Sequence, residues 1–416
     1  MSASARDHMS GQGSSTATSA RLNAIVLAAA QAVVGAAAPM TISMGGLAGY
    51  YLLGSDKSLA TAPVTGFTVG LALGAFGAAA IMRVTGRRLG FMVGAAFTAA
   101  GGALAALALW IGSFWFFAFA LAIIGCGGAF VQQYRFAAAD NAPPQFKAQA
   151  ISWVLAGGVF AAVIGPQTVI FSREMFPTVP FAGIFVAMIG LGLLGALILS
   201  LLRESKDVVV DPATQTAADR PRPLRYIVTQ RSFVTAMVCG VGTYALMTFM
   251  MTGAPLAMVA CGFSADLATL GIQWHVMAMF APSFFTGHLI RRFGEATIVG
   301  IGLALLLVCA FIAFIGIELW NFWLALVLLG IGWNFGFIGS TAMVTATYRQ
   351  SEKNKVQGFH DGVLFSLVAV ASLASGGALN HWGWEGVSLV LVPIASFCLL
   401  VLGLQVVSDR QKHASA

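Results

Sequence analysis

The sequence predicts an all-α polytopic membrane protein with twelve transmembrane helices in two six-helix bundles. Of its 416 residues, 58% are hydrophobic and only 9% are charged, whereas a soluble protein carries roughly 25% charged residues. Apolar runs of about 20 residues, the length that crosses a bilayer as a helix, recur along the chain. An internal repeat indicates that two similar units build the molecule.

The repeat has an offset of 208 residues, half the length of the chain. Short basic turns follow apolar runs at Arg83 and again at Arg291. A Lys-x-Gln sequence begins at Lys147 and again at Lys355. Two independent matches at one offset predict a duplicated membrane unit.

The segments follow one another in a simple order. Residues 1–20 are rich in Ser, Ala, Thr and Gly and are expected to form a disordered cytoplasmic N-terminus. The N-terminal bundle, 21–202, contains apolar runs near 23–50, 60–82, 89–110, 114–138, 148–171 and 180–202. A polar cytoplasmic linker, 203–231, leads to the C-terminal bundle, 232–407, with runs near 232–260, 266–290, 296–317, 320–346, 358–379 and 386–407. The tail is 408–416.

The basic residues predict the orientation. With both termini in the cytoplasm, twenty of the 22 Lys and Arg residues lie on the cytoplasmic side, and only Lys57 and Arg173 lie outside. Membrane proteins of the cell inner membrane show this bias. The sequence therefore predicts a multi-pass inner-membrane protein with an even number of spans.

Other classes of protein are not supported. The net charge of +7 does not indicate a nucleic-acid partner, because the basic residues lie in short turns between spans. The five cysteines lie in or beside apolar runs without metal-ligand spacing. No P-loop, nucleophile elbow or zinc-protease motif occurs. We therefore expect neither an enzyme nor a cofactor or metal site.

The turn after the second apolar run, residues 79–88, is similar to the G-x-L-a-D-r-x-G-r-k motif of the major facilitator superfamily of secondary transporters. A second copy covers residues 287–294. Arg83 and Arg291 stand at the acidic position of the motif, which departs from the family pattern. Gly165-Pro166 in the fifth run is similar to the start of the family's antiporter motif, without its trailing glycines.

This resemblance covers residues 21–407. It implies two bundles that move around a central site and expose it to each side of the membrane in turn. The chain also resembles proteobacterial members of the superfamily that include riboflavin importers, which makes riboflavin a candidate substrate.

Polar and aromatic side chains at mid-span depth are the candidate substrate-binding residues. Asp and Glu lie only near the ends of the runs, which favours a neutral or weakly anionic solute. Amides and indoles suit a flat polar heterocycle, because amides donate and accept hydrogen bonds and indoles stack. The candidates are Gln31, Gln132, Gln273, Trp274, His275, Trp333 and Asn334. Each could instead bond a neighbouring helix, and Gln273 and His275 cannot face the same way on one helix.

A second group of residues lies near the cytoplasmic ends of the runs. These candidate gating residues are Arg83, Arg135, Arg291, His360 and Asp361. They could close the path between the bundles or only satisfy the polarity of the interface.

Three functions remain open from the sequence. The first is secondary or facilitative transport of a small, vitamin-like aromatic solute, with import favoured. The second is efflux of amphipathic drugs or metabolites, and the third is a non-transporting membrane sensor or scaffold. The partners expected are the small-molecule substrate, membrane lipid and protons as a candidate coupling ion, with the protein acting as a monomer.

Overall fold

The computed structural model describes residues 3–140, 142, 146–203 and 222–414. This part of the chain is built from α-helices. They are α1 (Ala3–Val34), α2 (Ala37–Leu52), α3 (Ala62–Trp110), α4 (Phe114–Val131), α5 (Tyr134–Asp140), α6 (Lys147–Ser172), α7 (Ala182–Ser200), α8 (Leu224–Val228), α9 (Arg231–Ala260), α10 (Ala265–Phe280), α11 (Ser283–Phe293), α12 (Glu295–Phe314), α13 (Leu319–Thr345) and α14 (Lys353–Ala414).

Twelve transmembrane spans follow once the breaks in these helices are taken into account. α3 and α14 each contain a glycine with positive φ, Gly86 (φ 77°) and Gly383 (φ 66°), so each forms two spans. Three other spans are each made of two helices separated by a short break: α1 with α2, α4 with α5, and α10 with α11. The predicted fold class is confirmed.

The two basic turns share one backbone conformation. Gly86 (φ 77°, ψ 170°) and Gly294 (φ 82°, ψ 154°) lie 208 residues apart, each three residues after the arginine of its turn. This backbone favours glycine because a Cβ is disfavoured at positive φ. The structure thus repeats a conformation at the same offset as the sequence.

Each half has a hydrophobic core into which a few residues of the other half pack, such as Ala162 in the C-terminal core and Leu256 in the N-terminal one. Helices α1–α7 pack mainly on one another, as do α9–α14. The short helix α8, in the expected linker, packs on the C-terminal half, where Ile227 contacts a cluster with Phe233, Val344 and Val356. Residues 204–221 of that linker lie outside the described residues.

The N-terminal segment differs from the expectation of disorder. The first helix begins at Ala3 rather than near residue 21. Adding residues to an existing helix is more favourable than starting a new one, even in a segment rich in Ser, Thr and Gly. The segment therefore extends the first span as a helix.

The two ends of the molecule differ in their basic residues. One end, called the basic end, carries the turns with Arg83 and Arg291. The opposite end carries Lys57 and Arg173. The halves contact each other through α6 with α10 and α11, α3 with α14, and α2 with α9 and α10. These contacts frame the space between the bundles.

Candidate functional site

A cavity between the halves brings three predicted residues together. Gln31 on α1, Gln132 at the break between α4 and α5, and Arg135 on α5 line one wall, and Phe280 on α10 of the other half contributes to it. The lining also includes Val131, Val154, Leu155 and Gly158. α4 ends at Val131, and Gln132 and Arg135, which follow this break, both line the cavity.

One hydrogen-bond donor of Arg135, a residue that lines this cavity, has no partner among the described residues. This donor is Nε, which is buried. The guanidinium lies 4.8 Å from the centre of the Phe136 ring, and the Asp361 carboxylate and Tyr244 hydroxyl are within electrostatic range. Buried polar groups normally find a partner, so an N–H directed into a cavity is a donor available to a ligand.

Aromatic rings form the neighbouring surface of the C-terminal half. Trp333 and Phe337 on α13 stack with ring centroids 5.1 Å apart. Tyr244 on α9 stands edge-on to both of them, at 5.4 Å and 5.1 Å, and lies 6.0 Å from Phe365 on α14. The indole Nε1 of Trp333 has no partner among the described residues. These four residues, Tyr244, Trp333, Phe337 and Phe365, are called the aromatic cluster. The Trp333 side chain is buried within it.

Gln273 and Trp274 lie away from this wall. Gln273 accepts a hydrogen bond from Gln167 Nε2 of the other half at 3.0 Å. Trp274 is 44% exposed, whereas Ile272 and Val276 on the same helix are buried. Positions two apart differ by about 200° around a helix, so Trp274 points away from the bundle. Its prediction as a cavity residue does not match this placement.

His275 and Asn334 have the contacts of packing residues. His275 is fully buried, and its Nδ1 lies 2.8 Å from the carbonyl of Leu326. Asn334 is fully buried as well and donates to Met279 O and Ser283 Oγ, each at 2.7 Å. Its Oδ1 accepts from Thr286 at 2.6 Å. Because Met279 lies on α10 and Ser283 and Thr286 lie on α11, Asn334 joins these two helices across the break in that span rather than facing the cavity.

The predicted gating residues occupy two places. Arg83 and Arg291 are exposed in the two basic turns. His360 and Asp361 lie near the start of the long helix α14, with His360 Nδ1 2.9 Å from Asp361 Oδ1. His360 is buried, whereas the Asp361 side chain is 56% exposed and within electrostatic range of Arg135. Only this second group approaches the cavity.

Sequence reasoning missed Tyr244, Phe280, Phe337, Phe365 and Gln167. The chain contains 31 phenylalanines, most of them in apolar runs, so a Phe that lines a cavity cannot be distinguished from one that packs. A tyrosine inside an apolar run was a usable signal, because its hydroxyl needs a partner when buried.

A larger cavity of about 420 Å³ lies between α9 and α14. Its lining is Phe249, Ala374, Gly377, Ala378, His381, Trp382 and Val390. None of the predicted site residues belongs to it. The cavity between the halves has a volume of only about 40 Å³ in this conformation. It is the candidate site because it lies between the bundles and is lined by convergent polar groups, and the bundles must move apart there to admit a solute.

In the described residues no group of His, Cys, Asp and Glu is arranged to hold a metal ion. The groups around the cavity between the halves are donors, acceptors and ring faces. They can bind and orient a solute that combines a flat ring with hydrogen-bonding substituents.

Comparisons with known proteins agree with this architecture. The sequence matches the Major Facilitator Superfamily over residues 22–372 and 262–416. It is 47% identical over 400 residues to the riboflavin transporter RfnT of Brucella anthropi, covering 96% of this chain and 99% of that protein. It is 28% identical over 393 residues to the uncharacterized MFS-type transporter YdeG of Bacillus subtilis, covering 92% of this chain and 90% of that protein.

Solved structures share the fold. A nucleoside transporter, NupG, superposes with a TM-score of 0.68 at 12% identity, covering 92% of this chain and 99% of that chain. A bacterial homologue of the lysosomal transporter Spinster gives 0.67 at 15% identity, covering 92% and 97%. With the sequence match over nearly the whole chain, these findings establish that the chain is a transporter, not an enzyme, and belongs to the Major Facilitator Superfamily.

Proposed function

We propose that this transporter imports riboflavin, or a closely similar flat heterocycle, by alternating access. The observation that carries the proposal is the 47% identity to a riboflavin transporter over nearly the full length of both chains. Because the two chains align end to end at this identity, we expect them to share a substrate class.

The cavity supports this substrate class. Riboflavin joins a flat tricyclic ring to a chain of hydroxyl groups and is neutral near pH 7. The aromatic cluster, with the Trp333–Phe337 stack, suits the ring. Gln31, Gln132 and Arg135, which line the cavity, offer amide and guanidinium groups to the hydroxyls and ring carbonyls.

This proposal assigns the predicted residues to three roles. Gln31, Gln132, Arg135 and Trp333 contact the substrate. Gln273 joins the two halves, whereas Trp274, His275 and Asn334 support packing and the lipid-facing surface. Arg83, Arg291, His360 and Asp361 act at the basic end, where Asp361 faces Arg135 across the space between the halves.

The orientation and coupling are part of the same proposal. The basic end faces the cytoplasm, both termini are cytoplasmic, and the protein works as a monomer in the inner membrane. Protons are the candidate coupling ion, and the Asp361 carboxylate lies within electrostatic range of the cavity arginine. The sorting of twenty basic residues to one side supports the orientation.

Uptake of labelled riboflavin tests the proposal. Cells that cannot make or import riboflavin should grow on low external riboflavin when they express the protein, and uptake should saturate and be competed by unlabelled vitamin. Gln132→Ala should raise the apparent KM, and the matched control Gln149→Ala, at an exposed position on α6, should not.

Two results would contradict the proposal. Lower accumulation in expressing cells than in control cells would indicate efflux. Normal membrane insertion without transport of riboflavin or its competitors would support a sensor or scaffold.

A further inference from the structure

Side chains from α6 and α10 join the two halves at the end opposite to the basic turns. Arg173 Nη1 donates to Asp266 Oδ1 at 2.7 Å, and Nη2 lies 3.5 Å from Oδ2. Deeper along the same helices, Gln167 Nε2 donates to Gln273 Oε1 at 3.0 Å. The two contacts are six and seven residues apart on their helices, which is about two turns. They form a two-step connection, here called the α6–α10 ladder.

The other side of the cavity is joined by smaller groups. Thr65 Oγ1 lies 3.3 Å from Ser372 Oγ, and the Gly376 N–H donates to Thr61 Oγ1 at 3.2 Å. A Cβ on Gly376 would lie 2.5 Å from Thr61 Oγ1, so glycine permits this close approach of α3 and α14. Hydroxyl and backbone groups make this contact, and within the described part of the chain no ion pair joins α3 to α14.

The internal repeat relates the two sides. Gln273 and Thr65 are 208 residues apart, and both bond the opposite half. Arg173 and His381 are also 208 residues apart. The backbone N–H and hydroxyl of Ser58 chiefly lower the pKa of Asp56, and His381 adds a smaller electrostatic contribution. Each copy of the unit therefore places a basic side chain near a carboxylate of the other half.

The contacts between α6 and α10 nevertheless differ in kind from those between α3 and α14. Arg173 makes a direct ion pair with Asp266, and its side chain is 20% exposed against 38% for Asp266. Ion pairs that water can reach are weak, so this one can break and reform during each transport cycle. Lys57, which also lies at this end, donates to carbonyls of its own half, those of Tyr50 and Leu53, at 2.8 Å and 2.7 Å.

We propose that the α6–α10 ladder is the outer gate of this transporter, with the Arg173–Asp266 pair as the latch at its rim. The latch holds the end with Lys57 and Arg173 closed while the cavity is reached from the basic end. It separates when the bundles reverse their tilt. The proposal rests on alternating access by the superfamily fold and is independent of the identity of the substrate.

Accessibility of a single cysteine tests the gate without any substrate. Leu155, which lines the cavity, is replaced by cysteine in a variant whose five native cysteines are changed to Ala or Ser. A membrane-impermeant maleimide is added on the side where Lys57 and Arg173 lie. Arg173→Gln and Asp266→Asn should each label roughly threefold faster than the parent, which corresponds to about 0.7 kcal/mol.

Arg173 Nη2 also pairs with Glu174 at 2.9 Å, so the charge swap, Arg173→Asp with Asp266→Arg, is made in a Glu174→Gln background. It should return labelling to the rate of Glu174→Gln alone, because it restores the pair between the halves. Lys57→Gln is the matched control and should leave the rate unchanged. Parent-rate labelling in both single variants, at normal membrane levels, would overturn the proposal. So would faster labelling that the swap does not reverse, since a general loss of packing would then be the cause. If riboflavin uptake were absent while labelling behaved as expected, the proposed substrate would be wrong and the proposed gate would stand.

Discussion

The Asn334 amide holds together three groups at the break between α10 and α11. Its NH₂ bonds the Met279 carbonyl and the Ser283 hydroxyl, and its oxygen accepts from Thr286. Pro282 leaves a gap in the helical hydrogen bonding of this span, and Asn334 supplies bonds there. The residue is thus a structural support for a broken helix that borders the cavity through Phe280.

Asn334→Ala should therefore destabilise the protein without changing its affinity for substrate. Leaving buried hydrogen-bonding groups without a partner costs about 1–3 kcal/mol. Thermal unfolding in detergent should show a lower Tm, while the apparent KM of the remaining transporter should equal that of the parent. Thr345→Ala on the same helix is the control, because its exposed hydroxyl bonds only Ala342 one turn away. An elevated KM with unchanged Tm would place Asn334 in the binding site.

Two tryptophans provide an internal comparison of stacking on the substrate. Trp333 belongs to the aromatic cluster, and Trp274 points away from the bundle. Aromatic pairs contribute about 0.5–1.5 kcal/mol beyond area burial, so Trp333→Leu should raise the apparent KM for riboflavin roughly 2- to 13-fold. Trp274→Leu should leave it unchanged. Equal KM values for the two variants, measured by uptake at matched expression, would remove Trp333 from the site.

These residues also show the limit of reading a site from sequence. Gln132 and Asn334 are both amides inside apolar runs, and both were expected to face a cavity. Gln132 lines one, whereas Asn334 bonds a neighbouring span. The difference depends on the rotation of each helix about its axis and on the breaks after Val131 and Phe280, and neither can be obtained from a nearly uniform apolar pattern.

At the scale of single elements, α8 and the 3-10 turn Gln350–Glu352 tie the linker to the C-terminal half. Arg222 donates from its backbone N–H and Nε to Glu352 Oε1 at 2.7 Å and 2.8 Å, and from Nη2 to Oε2 at 2.8 Å. Its Nη2 also donates to the carbonyl of Thr347. Glu352 accepts a further bond from the Arg349 backbone. The carboxylate thus joins the residue before α8 to the turn before α14.

This arrangement predicts a dependence of stability on pH. The Arg222 side chain, followed by the backbone N–H groups, lowers the pKa of Glu352 to about 2. A carboxyl whose pKa is depressed on folding stabilises the protein above its unfolded pKa, about 4.3, and this contribution is lost as pH falls toward 2. Between pH 5 and pH 3 the Tm of the parent should therefore fall more steeply than that of Glu352→Gln. Glu385→Gln, at an exposed position, should follow the parent; parallel curves for all three would contradict the prediction.

The element boundaries were largely predictable, but the breaks were not. Apolar length and the basic turns placed the spans near their observed positions, because both are direct consequences of crossing a bilayer. Pro282 does lie at a break, whereas Pro166 and Pro255 lie inside helices that continue through them. Neighbouring helices decide which proline interrupts a span.

At the scale of the whole molecule, the duplication could be predicted from the sequence. The contacts that join the two halves at each end could not. The offset of 208 residues, found at Arg83 and Arg291, reappears in the backbone of Gly86 and Gly294. Contacts between the halves, such as Gln167 with Gln273, join positions 106 residues apart. Such pairs depend on the tilt of one bundle relative to the other. The apolar sequence pattern within either bundle does not specify that tilt.

Cross-linking the halves at the opposite end should stop transport reversibly. A Cβ on Gly376 would lie 2.5 Å from Oγ1 and 3.1 Å from Cγ2 of Thr61. These distances place the two Cβ atoms near the separation of about 3.5–4.5 Å that a disulfide needs. In a background without the native cysteines, oxidised Thr61→Cys/Gly376→Cys should lose uptake, because α3 and α14 could no longer separate. A reductant should restore uptake.

The matched control is a disulfide within one half. A Cβ on Gly195 would lie 3.5 Å from the Cβ of Val34, and both positions belong to the N-terminal bundle. Val34→Cys/Gly195→Cys should therefore form its bond and continue to transport, since bundles that move as units do not change this distance. Cross-link formation is followed by gel mobility and uptake by labelled substrate. Full transport by the oxidised Thr61–Gly376 pair would show that these two helices stay together through the cycle. Loss of transport in the control would show instead that the N-terminal half must deform.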